Sequence, residues 1–264
     1  MRARQLDGLA YLNRLTRWSP AWKAGFALAT LMVCLAGDCL VQALIGLWMG
    51  VWTVGYAGIP LKVYVRLLLL PAAFLAAGAP AFLLHVSAPG VAPGTAGAFL
   101  AAWTALGWEW SVSLQGLQAY GQAVLRAMAA VTCLYFLLLT CPVTDLVTLL
   151  RRWGVPAVLT DLLSWTYRFV FVLLEVSERR YVAMTARGGF PGGRRSLRDA
   201  SRLAAHLLQD VKRQYHRSSL GLASRNDTGV FRVLPRSYCR PAPRYMMEAI
   251  AGLVVLALWV LWRG

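Results

Sequence analysis

Residues 158–176 read VLTDLLSWTYRFVFVLLEV, long and apolar enough to be taken for a membrane span. Asp161, Arg168 and Glu175 interrupt that reading, because they recur every seven residues and so fall on one stripe of an α-helix. Trp165, Phe169 and Val172 lie close to that line, and Leu162, Tyr167, Phe171 and Leu174 cover the remainder. The pattern predicts an amphipathic or protein-buried helix near the membrane surface, from about Pro156 to Arg187. Were the segment to cross, the chain from Glu178 to Arg244 would be exported with 15 of the 27 basic residues, against the positive-inside rule.

Working outward, the 264 residues are 58% apolar and 14% charged, with a mean hydropathy of +0.54. This is the composition of a polytopic membrane protein. Eighteen of the basic residues fall between Arg151 and Arg244, beside only six acidic ones. Such a block between apolar spans is the signature of a cytoplasmic face, so nucleic acid is not expected as a partner.

A helix needs about 20 residues to cross ~30 Å of hydrocarbon. Trp22 to Leu40 and Val41 to Ile59 meet this as a hairpin turning at Gly37-Asp38, followed by a basic 60–66 loop with Lys62 and Arg66. The run from Leu67 to about Val86 is a third span, Gln118 to Pro142 a fourth, and Pro243 to Trp262 the last. Ser87 to Leu117 is a Gly- and Pro-rich connection carrying no Lys or Arg, so it faces the side opposite the basic N-terminus (Arg2, Arg4, Arg14, Arg17, Lys23). The expected fold is all-α, with about five transmembrane helices and two to three long cytoplasmic coupling helices. Its expected divisions are 1–142, with spans one to four, the cytoplasmic 143–242, and 243–264, the C-terminal span.

A second long helix is predicted from about Ser196 to Ser224, with Leu197, Leu203, Leu207, Val211 and Tyr215 at helical spacing. Gly188-Gly189-Phe190-Pro191-Gly192-Gly193 separates the two helices and supplies a C-cap and a turn. Both therefore end at an arginine. In YVAMTARGGF (181–190) and LGLASRNDTGV (220–230), an apolar residue, Met184 or Leu222, stands three positions before Arg187 or Arg225, with small residues between.

Catalytic chemistry is absent from the pattern. There is no GxxxxGK[ST] for nucleotide phosphates, and His85, His206 and His216 are scattered. Asp199 and Asp210 are expected to be solvated or paired with Arg202 and Arg213, not to form a metal-diphosphate site. The five cysteines lack CxxC spacing and read as buried thiols. Arg126 is an ionisable residue inside the fourth span, for which a structural role facing the bundle or snorkelling to a carbonyl is expected.

These residues resemble the transmembrane T component of energy-coupling factor (ECF) transporters, of the cobalt-type CbiQ group. The resemblance is carried by LDGLAYLNRL (6–15) with Ser19-Pro20 and Lys23, by LLTCP (138–142) with Asp145-Leu146, by Gly154-Val155-Pro156, and by Tyr167-Arg168-Phe169. Ala186-Arg187-Gly188 matches the family's first Ala-Arg-Gly motif. Ser224-Arg225-Asn226 occupies the place of the second, with Asn226 in place of Gly. Asn is the next most tolerant residue of the left-handed cap conformation.

The resemblance implies a non-enzymatic subunit of the inner membrane, with its N-terminus and coupling helices cytoplasmic. The two helices would cross in an X, each tip arginine entering a groove on one of two CbiO-like ABC-type ATPase subunits, with Met184 and Leu222 as apolar anchors. ATP and Mg would be bound by those partners, and no cofactor or metal by this chain. A CbiM-like subunit would capture the ion, together with a small CbiN-like subunit, in cobalt uptake for cobalamin biosynthesis. A nickel or vitamin T component is the alternative within the family. From another class, a membrane-embedded lipid or prenyl transferase would need paired acidic motifs, which the chain lacks.

Overall fold

The computed structural model describes residues 8, 10, 11, 13–87, 99–105, 108–224, 238, 239 and 241–263. The helices are α1 (Pro20–Ala36), α2 (Cys39–Val51) with a π-helical continuation Trp52–Tyr56, α3 (Leu61–Leu83) and α4 (Leu114–Thr140). After them come α5 (Val143–Arg152), α6 (Ala157–Ala186), α7 (Gly193–Ala223) and α8 (Pro243–Arg263). The chain divides into two compact units, Met1–Pro142 with Ser237–Gly264, and Val143–Arg236.

In the first unit, Phe26 is the hub of an aromatic core. Its ring lies 5.2 Å from Trp52, 5.4 Å from Trp48, 5.5 Å from Trp22 and 5.7 Å from Phe136, which ties α1 to α2, its π turn and α4. Tyr245 of α8 joins through Tyr56 and Trp18, at 5.5 and 5.1 Å. Among lipid tails, such packing and polar contacts hold helices together, because apolar burial alone gives little advantage there.

Pro71 in α3 shows how a backbone group is satisfied without water. Pro71 has no N–H, so the carbonyl of Leu67 loses its helical donor. Tyr135 on α4 donates its hydroxyl to that oxygen at 3.2 Å, and Tyr120 adds a second tie between α4 and α3 by donating to the Leu75 carbonyl at 3.1 Å.

The C-terminus of α4 is closed by the N-terminal strap. Lys23, fully buried, donates to the carbonyls of Thr140 at 2.8 Å and Leu15 at 3.2 Å. Asn13 donates to Leu139 at 3.0 Å. A cation and an amide thus meet carbonyls that the helix itself leaves unpaired, at the negative end of its dipole. Lys23, counted among the basic residues of the N-terminus, is thus a buried charge.

Among the described residues, five helical segments are long and apolar enough to cross a membrane: Cys39–Tyr56, Leu61–Ala81, Gly116–Thr140, Ala157–Ala186 and Pro243–Trp262. This is a multi-pass membrane protein with an all-α framework. The membership differs from the expected set. The first expected span is only the 17-residue α1, and α6, expected to lie along the surface, qualifies by length and hydropathy. Lys62 and Arg66 lie in the opening turns of α3, not in a loop. Where a plain connection was expected, β1 (Leu84–Ser87), β2 (Phe99–Ala105) and β3 (Trp108–Ser113) form a small antiparallel sheet in the order β1-β3-β2.

Candidate functional site

The second unit is a helical hairpin preceded by a short helix. α5, with ten residues, carries Asp145 in its first turn and Arg151 and Arg152 in its last, which suits the helix dipole at both ends. Of the two to three long helices expected, two are long, and α5 is the short third. Gly154, at φ 89°, and Pro156, at the N-cap, turn the chain into α6, and Arg151 lies 4.0 Å from Asp161 across that turn.

α6 runs for 30 residues and ends with Arg187 as its C-cap. The end is a Schellman motif: Gly188 donates to Thr185 at 3.1 Å and Gly189 to Met184 at 2.9 Å, with Gly188 at φ 79°. Beyond it Phe190 also adopts positive φ, at 60°, which is costly for a bulky residue. Two contacts hold it there: its N–H donates to Asp199 Oδ2 at 3.1 Å, and its ring packs 4.9 Å from Tyr181. Asp199 also stands 3.8 Å from Arg202, as its sequence context suggested. Arg187 is exposed, and its side chain makes no hydrogen bond or ion pair with a described residue.

α7 returns antiparallel to α6. Arg180 donates to Asp210 at 2.6 Å, which corrects the expected Asp210–Arg213 pair. Arg213 stands one turn along the same helix, whereas Arg180 faces Asp210 across the hairpin. The hydrogen bond from Arg180 holds the Asp210 carboxyl below the usual carboxylate range, with Arg213 and His206 adding to the effect.

Towards the other end, Leu162, Trp165, Phe169, Leu208, Tyr215 and Leu222 line an open groove of about 1030 Å³ between the helices. Arg168 packs over Trp165, 5.7 Å from its centroid, and Glu175 pairs with Arg179. The stripe that interrupts the apolar run is thus spent on local ion pairs and ring contacts.

Arg187 stands seven residues, ~10 Å, beyond the Arg180–Asp210 contact along α6, and Ser224 stands fourteen residues, ~21 Å, beyond it along α7. Ala186 and Arg187 are exposed at one end with Met184 half-buried, and Ser224 is exposed at the other with Leu222 half-buried. Ser224 caps α7, its N–H donating to Leu220 at 2.9 Å. Arg225 and Asn226 lie outside the described residues.

Elsewhere, Arg126 is exposed on α4. Among the described residues no three His, Cys, Asp or Glu side chains come together as a metal site. Cys34, Cys133 and Cys141 are buried as expected, but Cys39 and Cys239 are exposed. Cys39 opens α2 beside the turn, and Cys239 lies in the segment that pairs with Trp18. Sequence reasoning missed Lys23, Asn13 and Tyr135, whose partners are carbonyls remote in the chain.

A bundle of long apolar helices with a helical hairpin defines a multi-pass membrane protein. The CbiQ family, described as cobalt transport protein, matches residues 15–234, and the chain belongs to that family. A cobalt transport protein CbiQ of Rhodobacter capsulatus is 36% identical over 178 residues, covering 67% of this chain and 65% of that protein. The alignment thus spans just under two thirds of that relative. The CbiQ of Salmonella typhimurium is 25% identical over 221 residues, covering 82% of this chain and 94% of its own. A protein of Methanocorpusculum labreanum, described as a fused cobalt transport protein CbiMQ, is 28% identical over 148 residues, covering 56% of this chain and 23% of its own.

Proposed function

We propose that the chain is the membrane coupling subunit, the T component, of an ATP-driven ECF-type cobalt importer. Arg187 and Arg225 each enter a groove on one of two ATPase subunits, which bind ATP and Mg, and the hairpin carries their motion to an ion-capturing membrane subunit. The observation that carries this reading is the tip of α6. A Schellman cap, locked to α7 through Asp199, presents an exposed arginine with no partner among the described residues, at the far end of the hairpin from Ser224. A guanidinium offers five donors in a planar fork, suited to carboxylates and helix-end carbonyls in a partner's groove, and it cannot lose its charge.

The basic 151–244 segment supports a cytoplasmic hairpin, with α6 lying along the membrane surface and not crossing it. The N-terminus is then also cytoplasmic and the bundle lies in the inner membrane. The fused CbiMQ relative supports a CbiM-like capture subunit as membrane partner, with a CbiN-like subunit beside it.

The test is co-purification. The Arg187→Glu/Arg225→Glu chain should reach the membrane at normal levels but lose the co-expressed ATPase subunits. A complex recovered at undiminished yield would refute the tip assignment.

A further inference from the structure

The exposed surfaces of the bundle are not alike. Midway along α1, α2, α3 and α8 the exposed side chains are apolar, as at Met32, Leu47, Phe74 and Leu258. These suit lipid tails. On α4, Gln118, Gln122 and Arg126 are all exposed, and four-residue steps place them on one face over two turns. Among the described residues none of the three makes a hydrogen bond or ion pair.

Depth excludes an interfacial explanation for Arg126. It stands ten residues, ~15 Å, inside one end of the apolar Gly116–Thr140 stretch and fourteen, ~21 Å, inside the other. An ionisable group at such depth is costly unless paired, and it marks a protein-facing or functional surface. The one acid within α1, α2, α3, α4 and α8, among the described residues, is Glu248, and it is already engaged by Tyr56 at 2.9 Å. Among the described residues these helices therefore offer Arg126 no free counter-charge.

We propose that the Gln118–Gln122–Arg126 face of α4 is a docking surface for a transmembrane helix of a second membrane subunit, and that a carboxylate on that helix pairs with Arg126. The two glutamine amides offer donors and acceptors to the same helix and fix its register. This rests on the proposed role as a subunit of a multi-protein transporter, but it uses a surface separate from the Arg187 tip.

The full chain is co-expressed with its ATPase subunits and its CbiM-like membrane subunit, and the recovery of each partner is read separately. Arg126→Leu, which keeps the span apolar and insertion-competent, should lower recovery of the membrane subunit about tenfold while leaving the ATPases bound. Arg126→Glu should abolish it, and exchange of one intramembrane acid of the partner for Arg should restore it. Full recovery with Arg126→Leu, or failure of every partner exchange to rescue Arg126→Glu, would overturn the proposal. So would loss of a bound anionic lipid, or of a dimer of this chain, as the only consequence of Arg126→Leu. If the unaltered chain recovers neither partner, it is the T-component reading that fails.

Discussion

Replacing Gly189 by Ala tests whether the tip of α6 is a built feature or an incidental helix end. Gly189 donates its N–H to the Met184 carbonyl at 2.9 Å, and an added Cβ would stand 2.8 Å from that oxygen and 3.1 Å from its carbon. Both are backbone atoms and cannot swing aside, so relief requires opening the hydrogen bond that closes the Schellman motif. The lost bond contributes about 1 kcal/mol, and the displaced turn a similar amount, so the capped tip should be disfavoured by about 2 kcal/mol. If partners bind only the capped tip, affinity for the ATPase subunits should fall ~30-fold.

Gly221→Ala is the matched control. A Cβ at Gly221 meets nothing within 4 Å, and in a helix Ala is favoured over Gly by about 1 kcal/mol. The assay is titration of nanodisc-embedded chain with the ATPase subunits, alongside hydrogen exchange at the Gly188 and Gly189 amides. Unchanged affinity in Gly189→Ala despite faster exchange at those amides would refute the link between tip geometry and binding. Unchanged exchange would refute the packing argument itself.

Tyr135→Phe should leave the Leu67 carbonyl unpaired and lower stability by about 1–3 kcal/mol in detergent thermal unfolding. In a Pro71→Ala background the helix supplies its own donor, so the same change should be much less costly. Lys23→Met should uncap α4 and destabilise the first unit by a similar 1–3 kcal/mol, with faster exchange at the end of α4 as the check. The Arg180–Asp210 clamp should be insensitive to pH from neutral to about 5. Its carboxyl titrates lower folded than unfolded, so its contribution is complete above the ordinary carboxylate pKa of about 3.9 and is lost only as pH falls through the folded value. Asp210→Asn should loosen the hairpin at every pH, seen as a longer distance between spin labels on α6 and α7.

The sequence by itself determined the helical membrane class, both ends of α6 and the C-terminal end of α7, whereas α7 starts at Gly193, three residues before the expected Ser196. Pro156 and the glycines after Arg187 act through the backbone conformation of their own few residues, so the expected limits of α6 agree with those observed. The Schellman cap was legible for the same reason.

What only the tertiary structure decided depends on partners distant in the chain. Lys23 reads as one more N-terminal charge until the Thr140 carbonyl, 117 positions away, is placed against it. Pro71 deprives the Leu67 carbonyl of its helical donor, and only the fold brings Tyr135 to supply one. Asp210 reads as solvated or paired with Arg213 on its own helix until the hairpin brings Arg180 against it. The small sheet depends on strand pairing that local composition does not encode. Local conformational preference is written residue by residue; the satisfaction of a buried polar group depends on which remote carbonyl or carboxylate the fold brings within hydrogen-bonding reach.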